Sequence, residues 1–395
     1  MINSLNDLID KHGAPIALID NWNDKYIGYA VWEFEQTLIW NNKGLFLNDT
    51  LQENPSLDVV QDIINEWKMQ SDDISIINYI SYNFKNILFP HIPFKKHNDK
   101  FPLFFIAKPK KIIKYKIQNH LCSLTENFSL YKDILTLKNY KDIILKIKKE
   151  LFNGNVYQIN FTMPKKYLIN DSALSIYMYF RNIAQPKFGY YLNYKNLKVL
   201  SFSPEQFFNK KKQFIYTYPM KGTSARDKDK VKDKKLKSQL SNSIKDKAEH
   251  LMIVDLMRND IGKISKFGTV NVSDKYYIES HPTVHQMISC VSGELVDNIT
   301  EIDIIKALFP GGSVTGAPKE SAMKIIDSLE NYSRDIYTGA IGYIHKNGDM
   351  NYNIPIRTLS IYDNIGVYPV GGGIVWDSKI KNEWKEAQLK SKILE

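Results

Sequence analysis

Cysteine, arginine and long apolar runs are all scarce in this chain of 395 residues. Its two cysteines, Cys122 and Cys290, cannot build a disulfide framework, and neither belongs to a CxxC pair. The longest apolar runs, such as Pro102 to Ala107 and Leu251 to Val254, are far too short to cross a bilayer. Asp7, Asp10 and Lys11 interrupt the first apolar residues, so the positive start and apolar stretch of a signal peptide are missing. These features predict a cytoplasmic protein with no membrane partner. Arginine numbers five against 48 lysines, in a chain of net charge +10. A surface that reads nucleic-acid phosphates is expected to use arginine, so the basic balance reads as compositional bias and no nucleic-acid partner is expected. The densest basic run, Lys210 to Lys247, is diluted by Asp227, Asp229, Asp233 and Asp246 and predicts a solvated helical face. Attraction of a small anionic metabolite is compatible with either reading.

With 43% hydrophobic and 24% charged residues, the chain belongs to the ordinary globular class and can bury a large core. Its texture changes near residue 135. In residues 1–135, the segments Ala17 to Asp20, Tyr26 to Phe34 and Phe101 to Ile106 read as strands, with a helix over Ser56 to Trp67. In residues 136–395, helical spacing marks Tyr140 to Phe152, Asp246 to Arg258 and Lys319 to Leu329. Strands are expected at Val284 to Leu295, Gly339 to His345 and Asn353 to Ile361. Because the strands mostly neighbour one another, an antiparallel α+β fold is expected rather than a βαβ wound sheet.

Four segments are candidates for chemistry. Glu205 follows Pro204, and Lys221 precedes Gly222 in Pro219-Met220-Lys221-Gly222-Thr223; both sit at turn edges, where they face either a cleft or plain solvent. Glu249 shares a helical face with Met252, Ile253 and Leu256, and a carboxylate beside an apolar stripe needs a cation unless it lies at the solvent edge. The stretch Phe309 to Lys319 places glycines and hydroxyls before a helix, which suits an anion or else a glycine-rich turn capped by Ser313 or Thr315. Gly371, Gly372 and Gly373 allow close backbone approach of a ligand. Beyond them, Glu386 and Lys390 lie four apart on one helical face, as a surface pair would. Arg226, Arg258 and Arg357 fall in or beside these segments, where a planar fork for carboxylates or carbonyls is expected. Residue chemistry alone reaches an enzyme for a small polyanion, with magnesium a candidate.

From about Tyr140 to the C-terminus, these segments resemble the chorismate-binding family of anthranilate, aminodeoxychorismate, isochorismate and salicylate synthases. The resemblance also rests on Gly154 to Asn160, His281 to Ser289, Tyr337 to Tyr343 and Ile354 to Thr358. It implies two packed antiparallel sheets flanked by helices, a four-layer sandwich to which residues 1–135 contribute a weakly matched part. It implies Mg²⁺ held by Glu249 and Glu386, with Glu383 a lesser candidate. Tyr337, Arg357 and the backbone of Gly371 to Gly373 would take the pyruvyl carboxylate of chorismate, with Thr315, Gly316 and Lys390 as further contacts. His285 would sit near the ring, and Glu205 near the departing 4-hydroxyl.

Within the family, water-adding members carry a lysine base where this chain has Gln158, and a carboxamide cannot deprotonate water. Lys221 in a Pro-x-Lys-Gly-Thr setting resembles the aminodeoxychorismate synthase large subunit, whose lysine attacks the ring. Anthranilate synthases, the runner-up, typically have alanine there. A chorismate-binding regulator without catalysis is the alternative from another class. Met220 in place of isoleucine and Ser224-Ala225 before Arg226 depart from the family pattern. Neither cysteine has the glycine flanks of a glutaminase elbow, so ammonia is expected from a separate glutamine amidotransferase subunit. A separate lyase would then complete p-aminobenzoate on the route to folate.

Overall fold

Tyr190 and Leu192 face one hydrophobic cluster, whereas Tyr191 between them faces another. This period of two, with both faces buried, repeats at Ile77 and Tyr79 against Ile76 and Ile80. It marks strands enclosed on both sides. The computed structural model describes residues 4–22, 26–71, 73–96, 99–118, 128–133, 135–280 and 284–394. Cys122 and His281-Pro282-Thr283 lie outside the described residues.

Every ladder between the described strands is antiparallel. One sheet runs, in pairing order, through Phe128–Asp133, Gln158–Ile169, Ile365–Ile374, Thr358–Tyr362, Leu197–Ser203, Phe188–Tyr194, Ala17–Asn21 and Ile27–Asn41. The other continues from Ile27–Asn41 through Phe104–Lys116, Ile74–Ile80, Ala340–His345, Met350–Asn353, Gln206–Lys211 and Phe214–Thr217 to Val284–Glu294. Register shifts between Val31 and Gln36 bend the long strand pair that passes from one sheet to the next. Residues on both sides of position 135 thus share both sheets.

Three clusters give the layers. Ala17, Val31, Tyr79, Phe105, Leu192 and Ile341 pack between the sheets. Helices Leu137–Phe152, Ala173–Ala184, Lys319–Leu329 and Ile380–Ser391 cover the outer face of the first sheet, through Ile144, Ile176, Ile326 and Ala387 among others. Helices Leu57–Gln70, Ile244–Gly262 and Glu301–Leu308 cover the second, through Ile64, Val254 and Ile305. The result is the α+β four-layer sandwich the resemblance implied. No helix among the described residues is long and apolar enough to cross a membrane.

Two expectations need correction. The segment Asn353 to Ile361 is not one strand: Met350–Asn353 lies in the second sheet and Thr358–Tyr362 in the first. Pro355 has no N–H to donate to a ladder, and Arg357 turns the chain with φ of 51°. Neither Ser313 nor Thr315 caps the helix Lys319–Leu329, whose N-cap is Pro318 without a side-chain bond. Their hydroxyls go to Glu205 and to the Gly311 carbonyl instead.

Candidate active site

The glycines at the end of strand Ile365–Ile374 decide where charged side chains can converge. A Cβ on Gly373 would fall 2.9 Å from Lys221 Nζ and 3.0 Å from the Gln158 carboxamide carbon. A Cβ on Gly372 would lie 3.5 Å from Lys390 Nζ, 3.8 Å from Glu386 Oε1 and 4.0 Å from Glu383 Oε2. The missing side chains therefore leave a floor over which Lys221, Gln158, Lys390, Glu386 and Glu383 gather.

Three elements deliver them: the strands that carry Lys221 and Gln158, and one helix that carries Glu383, Glu386 and Lys390. Lys221 lies in the short strand Met220–Ala225, whose pairing to Val284–Glu294 is bulged between Met220 and Thr223. Gly222 takes φ of 87° there and approaches Asp246 so closely that its Cβ would sit 3.1 Å from that side chain. The bulge brings the Lys221 amine to 3.6 Å from Glu249 Oε2, while Lys245 reaches Glu249 Oε1 at 3.6 Å. From the helix Ile380–Ser391, Lys390 Nζ donates to the Gly371 carbonyl at 2.8 Å and pairs with Glu386 at 2.8 Å. This pair is bonded to the site floor, which a plain surface pair would not be.

Electrostatics separate the carboxylates. Burial pushes the Glu205 carboxyl up, against the Ser313 hydroxyl donating at 2.7 Å and the charges of Lys390 and Lys221. Glu383 is raised by burial and by its neighbour Glu386, with Ser378 opposing. At Glu386 burial also acts upward, but Lys390 and the further lysines Lys221 and Lys245 outweigh it and lower the carboxyl.

Arg357 and Tyr337 form the other wall. Both act electrostatically on the buried Tyr368, and Glu205 acts on Tyr337. Tyr368 in turn donates to the Lys390 carbonyl at 3.3 Å. Burial pushes the Tyr337 phenol well up, so it remains a donor. Arg181, Arg226, Arg258 and Arg334 pair with Asp20, Asp233, Asp255 and Glu330 respectively. The Arg357 guanidinium makes no ion pair or hydrogen bond among the described residues, which leaves a planar fork for an anion. The loop Gly312–Gly316 closes the site at backbone level. Gly316 pairs with Ile159 at φ of 144°, where a Cβ would strike the Gln158 carbonyl at 2.1 Å. Thr315 is fully buried and its hydroxyl donates to the Gly311 carbonyl at 2.9 Å.

His285 makes no hydrogen bond with a member of this cluster. It is buried, with Nε2 3.1 Å from Asp233 Oδ1 and Nδ1 2.9 Å from Ser280 Oγ. Arg226 supplies the expected planar fork to a carboxylate, gripping Asp233 with two bonds of 2.8 and 2.9 Å. Arg258 makes an exposed pair with Asp255. Two residues given no role from sequence lie close by. His250 is wholly buried next to Glu249 and against the Lys221 backbone, with a pKa lowered to about 4 by burial. Arg334 is fully buried behind Thr315 and Tyr337. The scarcity of arginine, had it been applied to all five, would have marked it. A separate cavity of about 490 Å³ between the sheets, lined by Asp20, Tyr29, Tyr190 and Asn353 among others, contains none of the site residues.

The arrangement combines amines, a free guanidinium and a phenol with four carboxylates, a suitable set for a dianion and a hard cation. Among the described residues, no three His, Cys, Asp or Glu side chains group at metal spacing. Magnesium commonly takes one or two carboxylates and fills its shell with water and substrate, so a two-carboxylate donor set fits its chemistry.

Residues 15–395 match the sequence model of a family described as chorismate binding enzyme. Anthranilate synthase component 1 of Saccharolobus solfataricus is 36% identical over 266 residues, covering 67% of this chain and 63% of that protein. Aminodeoxychorismate synthase component 1 of Escherichia coli is 36% identical over 273 residues, covering 68% and 60%. That of Bacillus subtilis is 36% identical over 256 residues, covering 65% and 54%. The matches thus span a little over half to under two thirds of these relatives. In fold, anthranilate synthase component I of Streptococcus pneumoniae superposes with a TM-score of 0.83 at 22% identity, over 94% of this chain and 93% of that one. The menaquinone-specific isochorismate synthase of Escherichia coli reaches 0.75 at 15% identity, over 96% and 88%. The chain belongs to the chorismate-binding enzyme family.

Proposed function

We propose that this chain is the large component of an aminodeoxychorismate synthase, converting chorismate and ammonia to 4-amino-4-deoxychorismate. The observation that carries the reading is the Lys221 amine, packed over Gly373 beside Gln158 and 3.6 Å from Glu249. On this reading that amine is the nucleophile. A carboxamide in place of a second lysine leaves no base at Gln158 to activate water.

In the proposed reaction the Lys221 amine bonds to ring carbon 2, the two ring double bonds shift, and the carbon 4–oxygen bond breaks. Glu205, its carboxyl raised by burial, would give a proton to the departing hydroxyl, which leaves as water. Ammonia then attacks carbon 4, the double bonds shift back and the lysine is expelled from carbon 2. Arg357, Tyr337 and the Gly371 to Gly373 backbone orient the pyruvyl carboxylate. Glu249 and Glu386 would hold Mg²⁺, which supplies charge for the ring carboxylate. Glu383 lies beside them as a third carboxylate. Ammonia would come from a separate glutamine amidotransferase subunit, in keeping with relatives named as component 1.

The test is a product assay with chorismate, Mg²⁺ and ammonium salt, with and without aminodeoxychorismate lyase. p-Aminobenzoate should form only when lyase is added, and glutamine alone should not replace ammonium. Lys221→Ala and Lys221→Arg should both lose the reaction, the latter because guanidinium is a poor nucleophile. Mass spectrometry without ammonia should find a chorismate-derived adduct on the Lys221 peptide. Anthranilate as main product, with no adduct and active Lys221→Ala, would establish the anthranilate synthase reading instead. That reading has support from relatives of 36% and 38% identity.

A further inference from the structure

We propose that Arg334 is a positioning residue for chorismate, fixing three separate binding segments relative to one another. The inference rests on the chorismate-site reading above and adds a residue that does not itself touch substrate. Arg334 is 3% exposed, and all five of its N–H donors are used. Nε donates to Glu330 Oε2 at 2.8 Å, and Nη2 to Glu330 Oε1 at 2.7 Å and the Asn160 carbonyl at 2.7 Å. Nη1 donates to the Val314 carbonyl at 3.0 Å and to Thr338 Oγ1 at 3.1 Å.

The three acceptors outside the ion pair belong to three segments of the site. Val314 precedes Thr315 and Gly316. Asn160 lies two residues beyond Gln158. Thr338 follows Tyr337, and its hydroxyl passes the bond on to the Tyr337 carbonyl at 2.6 Å. Thr338 holds φ of 61°, a left-handed conformation that a β-branched residue rarely adopts without surrounding restraint. Glu330 extends the knot: its Oε1 also accepts from the Thr162 N–H and hydroxyl, both at 2.8 Å.

Stability alone does not explain such a group. Two buried charges cost desolvation, and well-packed apolar residues of similar volume are often as stable. What apolar residues or a lysine cannot supply is a rigid planar fork with five donors in fixed directions. Here that fork bonds a loop, a strand and a turn, and each carries a residue of the proposed site: Thr315 and Gly316, Gln158, and Tyr337.

The experiment measures chorismate affinity by calorimetry and steady-state KM, with thermal unfolding run in parallel. Arg334→Lys keeps the charge but loses the fork. Its chorismate Kd and KM should rise at least about tenfold, the scale on which small misplacements act at ordered sites. A merely structural role would lower Tm and the folded fraction while leaving Kd and KM of the folded molecules unchanged. Thr338→Val removes the hydroxyl link and spares the Arg334–Glu330 pair, so it carries the test should Arg334→Lys fail to fold. It should weaken chorismate binding, and Thr338→Ser should restore it. Folded Arg334→Lys and Thr338→Val with wild-type Kd and KM would overturn the proposal. Wild-type protein that does not bind chorismate would overturn the site reading, and this inference with it. A wrong assignment of the product alone would leave the binding result standing.

Discussion

Alanine at Gly373 adds one methyl group where Lys221 and Gln158 meet. The new carbon would lie 2.9 Å from Lys221 Nζ and 3.1 Å from Gln158 Nε2, against an ordinary separation of roughly 3.5–4 Å. Both neighbours are ends of side chains, so the backbone need not move; the lysine amine instead retreats by about 0.5–1 Å. Overpacking costs of order 1–3 kcal/mol, and reduced freedom of the unfolded chain returns about 0.4–1 kcal/mol. Gly373→Ala should therefore fold, a little less stable than the parent. Displacement of the attacking amine by up to about 1 Å should lower turnover by roughly 10²-fold. The assay is kcat at saturating chorismate and ammonium, beside a thermal unfolding curve. Gly371→Ala is the contrast. Its methyl would meet the Phe161 carbonyl oxygen at 2.2 Å, a backbone atom in a strand that cannot yield, so stability should fall far more. Wild-type turnover by Gly373→Ala would refute the view that this glycine exists to admit Lys221. Unfolding as severe as that of Gly371→Ala would show that the position is structural.

Glu249→Gln and Glu386→Gln should each raise the Mg²⁺ concentration needed for half-maximal activity, by more than the roughly 10-fold that loss of an outer supporting partner costs. An unchanged Mg²⁺ titration in both variants would remove them as ligands. His285→Asn should lower the melting temperature by loosening Asp233 and Ser280 but leave turnover per folded molecule intact; a selective loss of kcat would return His285 to the catalytic set. Asp335 is raised from 3.8 to about 7 by burial and the nearby Asp99, against Ser333 and Lys100. A carboxyl with its folded pKa raised contributes stability that is present below pH 3.8 and lost as pH climbs through about 7. Thermal stability of Asp335→Asn should lack that decline and exceed the wild type at pH 8. Parallel pH profiles for the two proteins would exclude Asp335 as its source.

Much of the fold was legible because it depends on local periodicity. The helix expected over Ser56 to Trp67 forms at Leu57–Gln70, with Ser56 as its N-cap accepting from Val59. The helix expected from Lys319 to Leu329 has those bounds. The break inside Asn353 to Ile361 was not legible. Both halves carry alternating apolar residues, and only the pairing partners show that they belong to different sheets. Similarly, nothing in the run Lys230–Asn242 says that its Asp233 takes both Arg226 and His285.

For the site, residue types and their order along the chain determined the family, the antiparallel α+β class and a list of carboxylates, lysines and glycines. Only the tertiary structure decided which of them meet. Lys221 reaches Gly373 and Glu249 because a bulge and a left-handed glycine redirect one short strand. His285 is absorbed by Asp233 because the helix Lys230–Asn242 packs against its strand. Arg357 stays free while four other arginines are spent on carboxylates, and Arg334 binds three segments that share no local pattern. Hydrogen-bond saturation, close approach and convergence of distant charges depend on distances of a few ångströms between residues such as Asn160 and Arg334, 174 positions apart. Those distances are set when the sheets pair and pack, and no sequence window contains them.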